Sequence, residues 1–138
     1  MIVKIFATRT KKSFKMSMPQ AFAGETPLFM LYTSDSIGAP KGLVHSSVGY
    51  LVYASMTHKL VSDYKDHDVY WCTANIGWIT GHTYVVYRSL TNGSTSVIFE
   101  GVFIYPDTSR LWQEVDQHNV SILYTVPTLI RFLLKDGD

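Results

Sequence analysis

The chain has 138 residues, 46% of them hydrophobic and 17% charged, with a formal net charge of +1. That length suits one domain with a single core, and the apolar content excludes a disordered chain. A balance this close to neutral gives no reason to expect a nucleic-acid partner.

The total hides an asymmetry. Residues 1–24 carry Lys4, Arg9, Lys11, Lys12 and Lys15 and no acid, whereas residues 25–138 hold seven basic and eleven acidic side chains. The start is read as a basic segment outside the domain, 25–138, with a mitochondrial presequence as the alternative. The expected compartment is the cytoplasm, and the mitochondrial matrix is the alternative. The single cysteine, Cys72, excludes an internal disulfide and points to a reducing compartment. Residues 69–87 contain no Asp, Glu, Lys or Arg, yet Thr73, Asn75, Thr80 and His82 make them too polar for a membrane span.

In chain order, "LFMLYT" (28–33) is the first run that is apolar on both faces, as expected of a strand covered on both sides. A helical period follows, with Val48, Leu51, Val52, Ser55 and Met56 on one face and Ser46 or Ser47 as N-cap. "VYWCT" (69–73) is the second strand, and "HTYVVYRSL" reads as a helix that stops at Asn92-Gly93. "TSVIF" (95–99) is the third strand. Pro106-Asp107-Thr108 opens a segment that gathers Leu111, Trp112 and Val115 on one side. "SILYT" (121–125) is the fourth strand, and Pro127 starts a last helix with Leu129, Ile130, Leu133 and Leu134 inward. Strict alternation of this kind predicts an α/β fold: a three-layer parallel sheet with alternating β-α units and right-handed crossovers.

In such sheets ligands bind beyond the carboxyl ends of the strands. The informative loops are therefore residues 34–42, 74–81, 101–106 and 126–127. The first, in "LYTSDSIGAPKG" (31–42), has glycines for close backbone approach, the hydroxyls of Ser34 and Ser36, and the cation of Lys41. A phosphate chain needs those groups. The spacing is not that of a Walker A loop, because Lys41 follows Gly38 by three residues and precedes Gly42. His45, His58, His67 and His118 have no ligand spacing, so no protein-bound metal is expected.

The whole stretch resembles the "TSGSTGxPKG" phosphate loop of the adenylate-forming superfamily. "PLFMLYTS", "VGYLVYASMTHK", "DVYWCTANIGWITGHTYVVY", "NGSTSVIFEGV", "YPDTSRLWQ" and "YTVPTLIR" extend the resemblance to AMP-forming acetyl-CoA synthetases over residues 25–138. The resemblance implies part of the large N-terminal domain of such an enzyme. It also implies a two-step reaction, in which acetate attacks the α-phosphate of ATP and the acetyl group of acetyl-AMP then passes to coenzyme A. Thr33, Ser34, Ser36, Gly38 and Lys41 would hold the ATP phosphates, with magnesium accompanying the nucleotide, and Lys41 would act by electrostatics. Trp78, Ile79 and Thr80 would form the acetate pocket, with Thr80 also against coenzyme A.

Asp35 and Ile37 stand where the superfamily loop has Gly and Thr, and Phe103 and Ile104 where "GVPNYPD" has Pro and Asn. An acid in an anion site repels the triphosphate, and Ile37 deletes a hydroxyl while adding β-branched bulk. The family's adenine-binding loops and C-terminal catalytic lysine have no counterpart in these residues. Two expectations follow: a partial acetate–CoA ligase that is inactive as this segment, or a non-catalytic α/β module with at most weak nucleotide or partner binding. Unpaired sheet edges would favour self-association.

Overall fold

The computed structural model describes residues 2–4, 18–33 and 38–135. Three of the expected strands build the centre. β4 (Val69–Cys72) lies between β5 (Thr95–Phe99) and β6 (Ile122–Tyr124), parallel to both, and β1 (Ile2–Lys4) runs antiparallel on the far side of β5. Side chains alternate along each strand, so both faces are apolar. Trp71, Val97 and Leu123 pack on one side with Leu111, Leu129 and Leu133 from the helices α4 (Arg110–Gln117) and α5 (Pro127–Lys135). Tyr70, Cys72, Ile98, Ile122 and Tyr124 face the other way, against Tyr84 and Val85. Those two residues belong to an uninterrupted helical run, made of α2 (Ile79–Gly81), a π-helical stretch (His82–Tyr87) and α3 (Arg88–Thr91). The three layers are the expected ones.

The strand read at residues 28–33 is a strand, but not part of that sheet. β2 (Pro27–Thr33) pairs antiparallel with β3 (Lys41–Ser46), a strand that begins at Lys41 and Gly42, where the sequence pattern predicts loop. The two form a separate hairpin. A parallel neighbour needs a crossover, whereas seven residues between Thr33 and Lys41 are enough for a hairpin connection. Phe29 attaches the hairpin to the layer of helices. Its ring stacks on His45 at 4.7 Å between centroids, meets Tyr50 edge-on at 4.8 Å, and reaches His82 at 4.9 Å and Tyr87 at 5.5 Å.

The inward face of α1 (Ser47–Leu60) differs from the expected one. Ala54 and His58 are buried, while Val48, Val52 and Met56 are more than half exposed. The reason is the neighbour. α1 packs on α3, whose Arg88 is buried and needs polar partners. The Arg88 guanidinium donates from Nε to His58 Nδ1 at 2.7 Å, and its terminal nitrogen donates to the Thr57 carbonyl at 3.1 Å and to the Ser62 hydroxyl. It also lies over the Tyr84 and Tyr70 rings at 4.8 and 5.2 Å. Burial first, and the Arg88 charge second, push the His58 imidazole down to about 4, so it is neutral and accepts. Ser46 precedes α1 without a side-chain cap bond, and the Ser47 hydroxyl donates instead to the Thr26 carbonyl at 2.7 Å.

α4 and α5 show similar exchanges. Trp112 and Leu134 point outward, while Glu114 and His118 join Leu111 on the buried side of α4. Glu114 pairs with Arg110 at 2.6 Å, and His118 Nε2 stands 3.2 Å from its second oxygen.

Candidate functional site

Two groups of sequence-marked residues occupy different parts of the molecule. Antiparallel register sets Thr33 directly opposite Lys41, at the mouth of the loop that joins β2 to β3. Ser34 and Ser36, with Asp35 and Ile37, lie outside the described residues. Gly38 has φ of 134°, a backbone region that side-chain-bearing residues rarely adopt, and an added Cβ there would meet nothing. Glycine is thus needed for conformation and not for space. Strand geometry puts Thr33 about 13 Å along β2 from Phe29, the residue that anchors the hairpin.

The second group follows β4. The Asn75 side-chain oxygen accepts the Gly77 N–H at 2.8 Å, and the Trp78 carbonyl accepts the His82 N–H at 2.9 Å, which turns the chain from strand into helix. Gly81 makes that turn possible. A Cβ at Gly81 would sit 2.1 Å from the Asn75 carbonyl oxygen, a clash with backbone that no rotamer relieves. Trp78 is 70% exposed and Ile79 44% exposed, with Thr80 half-buried behind them. His82 is placed by its contact with Phe29. Thr83 donates to the Ile79 carbonyl at 2.8 Å, so the Tyr50 hydroxyl, 2.5 Å away, donates to Thr83.

Between the ends of β4 and β5 lies a cavity of about 330 Å³, within the range of small-molecule sites. Its walls come from Trp71, Val85, Ile98, Phe99 and Phe103, and Thr73 and Asn75 supply the polar part. Neither Trp78 nor Ile79 lines it. Cys72 does, but burial pushes its thiol up, so it lines the wall as a neutral group. Phe103 stacks on Phe99 at 5.2 Å and meets Trp71 edge-on at 5.9 Å, and Ile104 packs against the same cluster. These two residues, where the superfamily motif has Pro and Asn, therefore contribute to the core. Sequence reasoning placed Asn75 in an informative loop but gave no site role to it, to Thr73 or to Thr125. The available signal was that "VYWCT" and "SILYT" each end on a hydroxyl at the carboxyl end of a strand.

Among the described residues no group of three or more His, Cys, Asp or Glu side chains could hold a metal ion. No described helix is long and apolar enough to cross a membrane.

A parallel sheet covered by helices on both faces, with a cavity at its carboxyl edge, places that cavity where α/β sheets hold their ligands. The chain belongs to the AMP-binding enzyme family, whose model matches residues 4–138. It is 58% identical over 120 residues to the acetyl-coenzyme A synthetase of Magnetococcus marinus, covering 87% of this chain and 19% of that protein. To acetyl-coenzyme A synthetase 2 of Pseudomonas aeruginosa it is 59% identical over 119 residues, 86% of this chain and 18% of that protein. To the acetyl-coenzyme A synthetase of Nostoc linckia it is 56% identical over 124 residues, 90% of this chain and 37% of that protein. The chain thus spans between about a fifth and just over a third of the length of these relatives.

Proposed function

We propose that this chain is the segment of an AMP-forming acetate–CoA ligase that holds the phosphates of ATP and borders the acyl site. The observation that carries the reading is the register that sets Thr33 against Lys41 at the mouth of the phosphate-type loop. Thr33, Ser34, Ser36 and Gly38 donate to the β- and γ-phosphates, and the Lys41 ammonium offsets charge that develops on the departing pyrophosphate. Magnesium arrives on the nucleotide. The acetate oxygen forms its bond to the α-phosphorus as the bond to the bridging oxygen breaks, which yields acetyl-AMP and pyrophosphate. The coenzyme A thiol then displaces AMP. Trp78, Ile79 and Thr80 flank the acyl group, with Thr80 also facing coenzyme A. We place the protein in the cytoplasm; the named relatives are bacterial and lend no support to a mitochondrial location.

These 138 residues by themselves form no acetyl-AMP, because they span so small a share of the relatives' length. Asp35 and Ile37 favour the non-catalytic reading for this loop, since one brings a like charge and the other removes a donor. Acetate-dependent exchange of labelled pyrophosphate into ATP, together with calorimetric titration of ATP, tests both statements. The expected results are exchange at the level of the no-protein blank, and tighter ATP binding by the Asp35→Gly/Ile37→Thr variant than by the unaltered chain. Exchange above the blank sinks the first statement, and unchanged affinity sinks the second. Size-exclusion chromatography of the same samples tests self-association through the sheet edges, with a monomer as the contrary result.

A further inference from the structure

The outer face of α1 reverses the usual pattern of a surface helix. Val48, Val52, Met56 and Leu60 follow one another at intervals of four residues, and all are more than half exposed. Residues 47–57 carry no charged side chain, so an apolar ridge about 18 Å long faces solvent. Beside it a groove of about 320 Å³ opens between α1 and α3, lined by Leu51, Val52, Ser55, Met56 and Thr91. The Arg88 brace explains why this face points outward. Its composition calls for cover, because soluble monomers rarely leave a continuous apolar face open.

The two ends of the face differ in charge. Lys59 is exposed at the C-terminal end of α1, and the first turn of the helix holds no acid. At the other end the Val48 N–H donates to the Gly24 carbonyl at 3.0 Å, which sets the exposed Glu25 beside the helix N-terminus. A face with a ridge, a groove and opposite charges at its two ends is complementary to itself when one copy is reversed.

We propose that this face of α1 docks a second copy of the chain, antiparallel about a two-fold axis that passes between Val52 and Met56. Val48 then meets Leu60 of the second copy, Val52 meets Met56, and each ridge enters the other's groove. Lys59 of each copy approaches Glu25 of the other, and the two helix dipoles oppose. Two such faces together bury on the order of 1,000 Å², the lower end of specific interfaces, so the dimer is a weak one. An isologous contact of this kind closes at two copies. It uses none of the sheet edges, and it requires neither the phosphate loop nor nucleotide.

The test is sedimentation velocity of the full chain between about 1 and about 200 µM, where a monomer–dimer equilibrium with a dissociation constant on the order of 10 µM is expected. Val52→Lys brings like charges together at the axis and leaves a monomer throughout that range. Because Val52 is exposed, this variant keeps the thermal unfolding of the unaltered chain at low concentration, which shows that it is folded. Lys59→Glu sets acid against acid and weakens the dimer about tenfold, and Lys59→Glu combined with Glu25→Lys restores it. Val44→Lys, on the exposed part of the hairpin, changes nothing. Three results would each overturn the proposal: a monomer at about 200 µM, a dimer that Val52→Lys leaves intact, or species that keep growing with concentration. Dimers that survive Val52→Lys but are lost in Val44→Lys would assign the contact to the hairpin instead. ATP titration is separate from this measurement, so the dimer and the phosphate-loop reading stand or fall independently.

Discussion

β4 and β2 are both written in apolar residues, "VYWC" and "PLFMLYT", yet their surroundings differ. Trp71, Tyr70 and Cys72 of β4 are buried between two layers of helices, whereas Met30 and Tyr32 of β2, with Leu43 and Val44 of β3, are at least half exposed. The sheet is covered on both faces; the hairpin meets the helices through the Phe29 and His45 rings, with the Thr26 carbonyl just before β2 accepting from Ser47. Thr33 and Lys41 therefore belong to the less covered region, and the cavity, with the hydroxyl pair of Thr73 and Thr125, to the more covered one.

The comparison can be broken most readily at Trp71. Trp71→Ala removes a wholly buried ring from the packing of β4 against α4 and α5, and should cost about 3–5 kcal/mol in denaturant unfolding. A loss below about 1 kcal/mol would mean that the sheet is no better packed than the hairpin.

The brace between α1 and α3 comes next. The folded imidazole of His58 is held down to about 4 from an ordinary 6.5, so the unfolded chain binds the extra proton between those values. The His58 contribution to stability should be fully present above about pH 6.5 and be lost as pH drops toward 4, amounting to about 3 kcal/mol at most. Thermal unfolding across that range checks it, and His58→Gln, which keeps an acceptor for Arg88, should flatten the slope. A decline with the same slope in that variant would place the pH sensitivity elsewhere.

Phe29→Ala should cost about 1–3 kcal/mol, since the ring meets four aromatic partners at a half-buried position. Hydrogen exchange sharpens this result. Amides of β2 and β3 should lose protection while those of β4, β5 and β6 keep theirs, and equal loss in both would show that the two regions unfold together. The smallest effect belongs to Tyr32→Ala, at 68% exposure, which should change stability by no more than about 0.5 kcal/mol.

Much of this was legible in the residues, because a strand buried on both faces leaves a short β-branched or aromatic run wherever it occurs. All four runs read from the sequence are strands, and the helical periods between 79 and 91 and after 110 and 127 are helices. Partners were less legible. Nothing in "LFMLYT" says that it turns back on "KGLVHS", since the same run satisfies a central parallel strand. Helix faces failed where a buried ion was involved: the stripe of Val48, Val52 and Met56 is the more apolar one, but α1 turns His58 and Thr57 inward to serve Arg88. Similarly, Thr73 and Thr125 are 52 residues apart, and only parallel pairing of β4 with β6 makes them a pair.

By itself the sequence determined the α/β class, the order of the elements, the glycine-turned loop ending on Lys41, and the family, since each is written in local composition or contiguous motif. Tertiary structure decided which strands share a sheet, which face of α1 is buried, and that Thr73 and Asn75 line the cavity while Trp78 and Ile79 stand outside it. Those outcomes depend on contacts between residues far apart in the chain. The cost of burying Arg88 without polar partners outweighs the gain from burying a few more aliphatic side chains, and no local pattern records that balance.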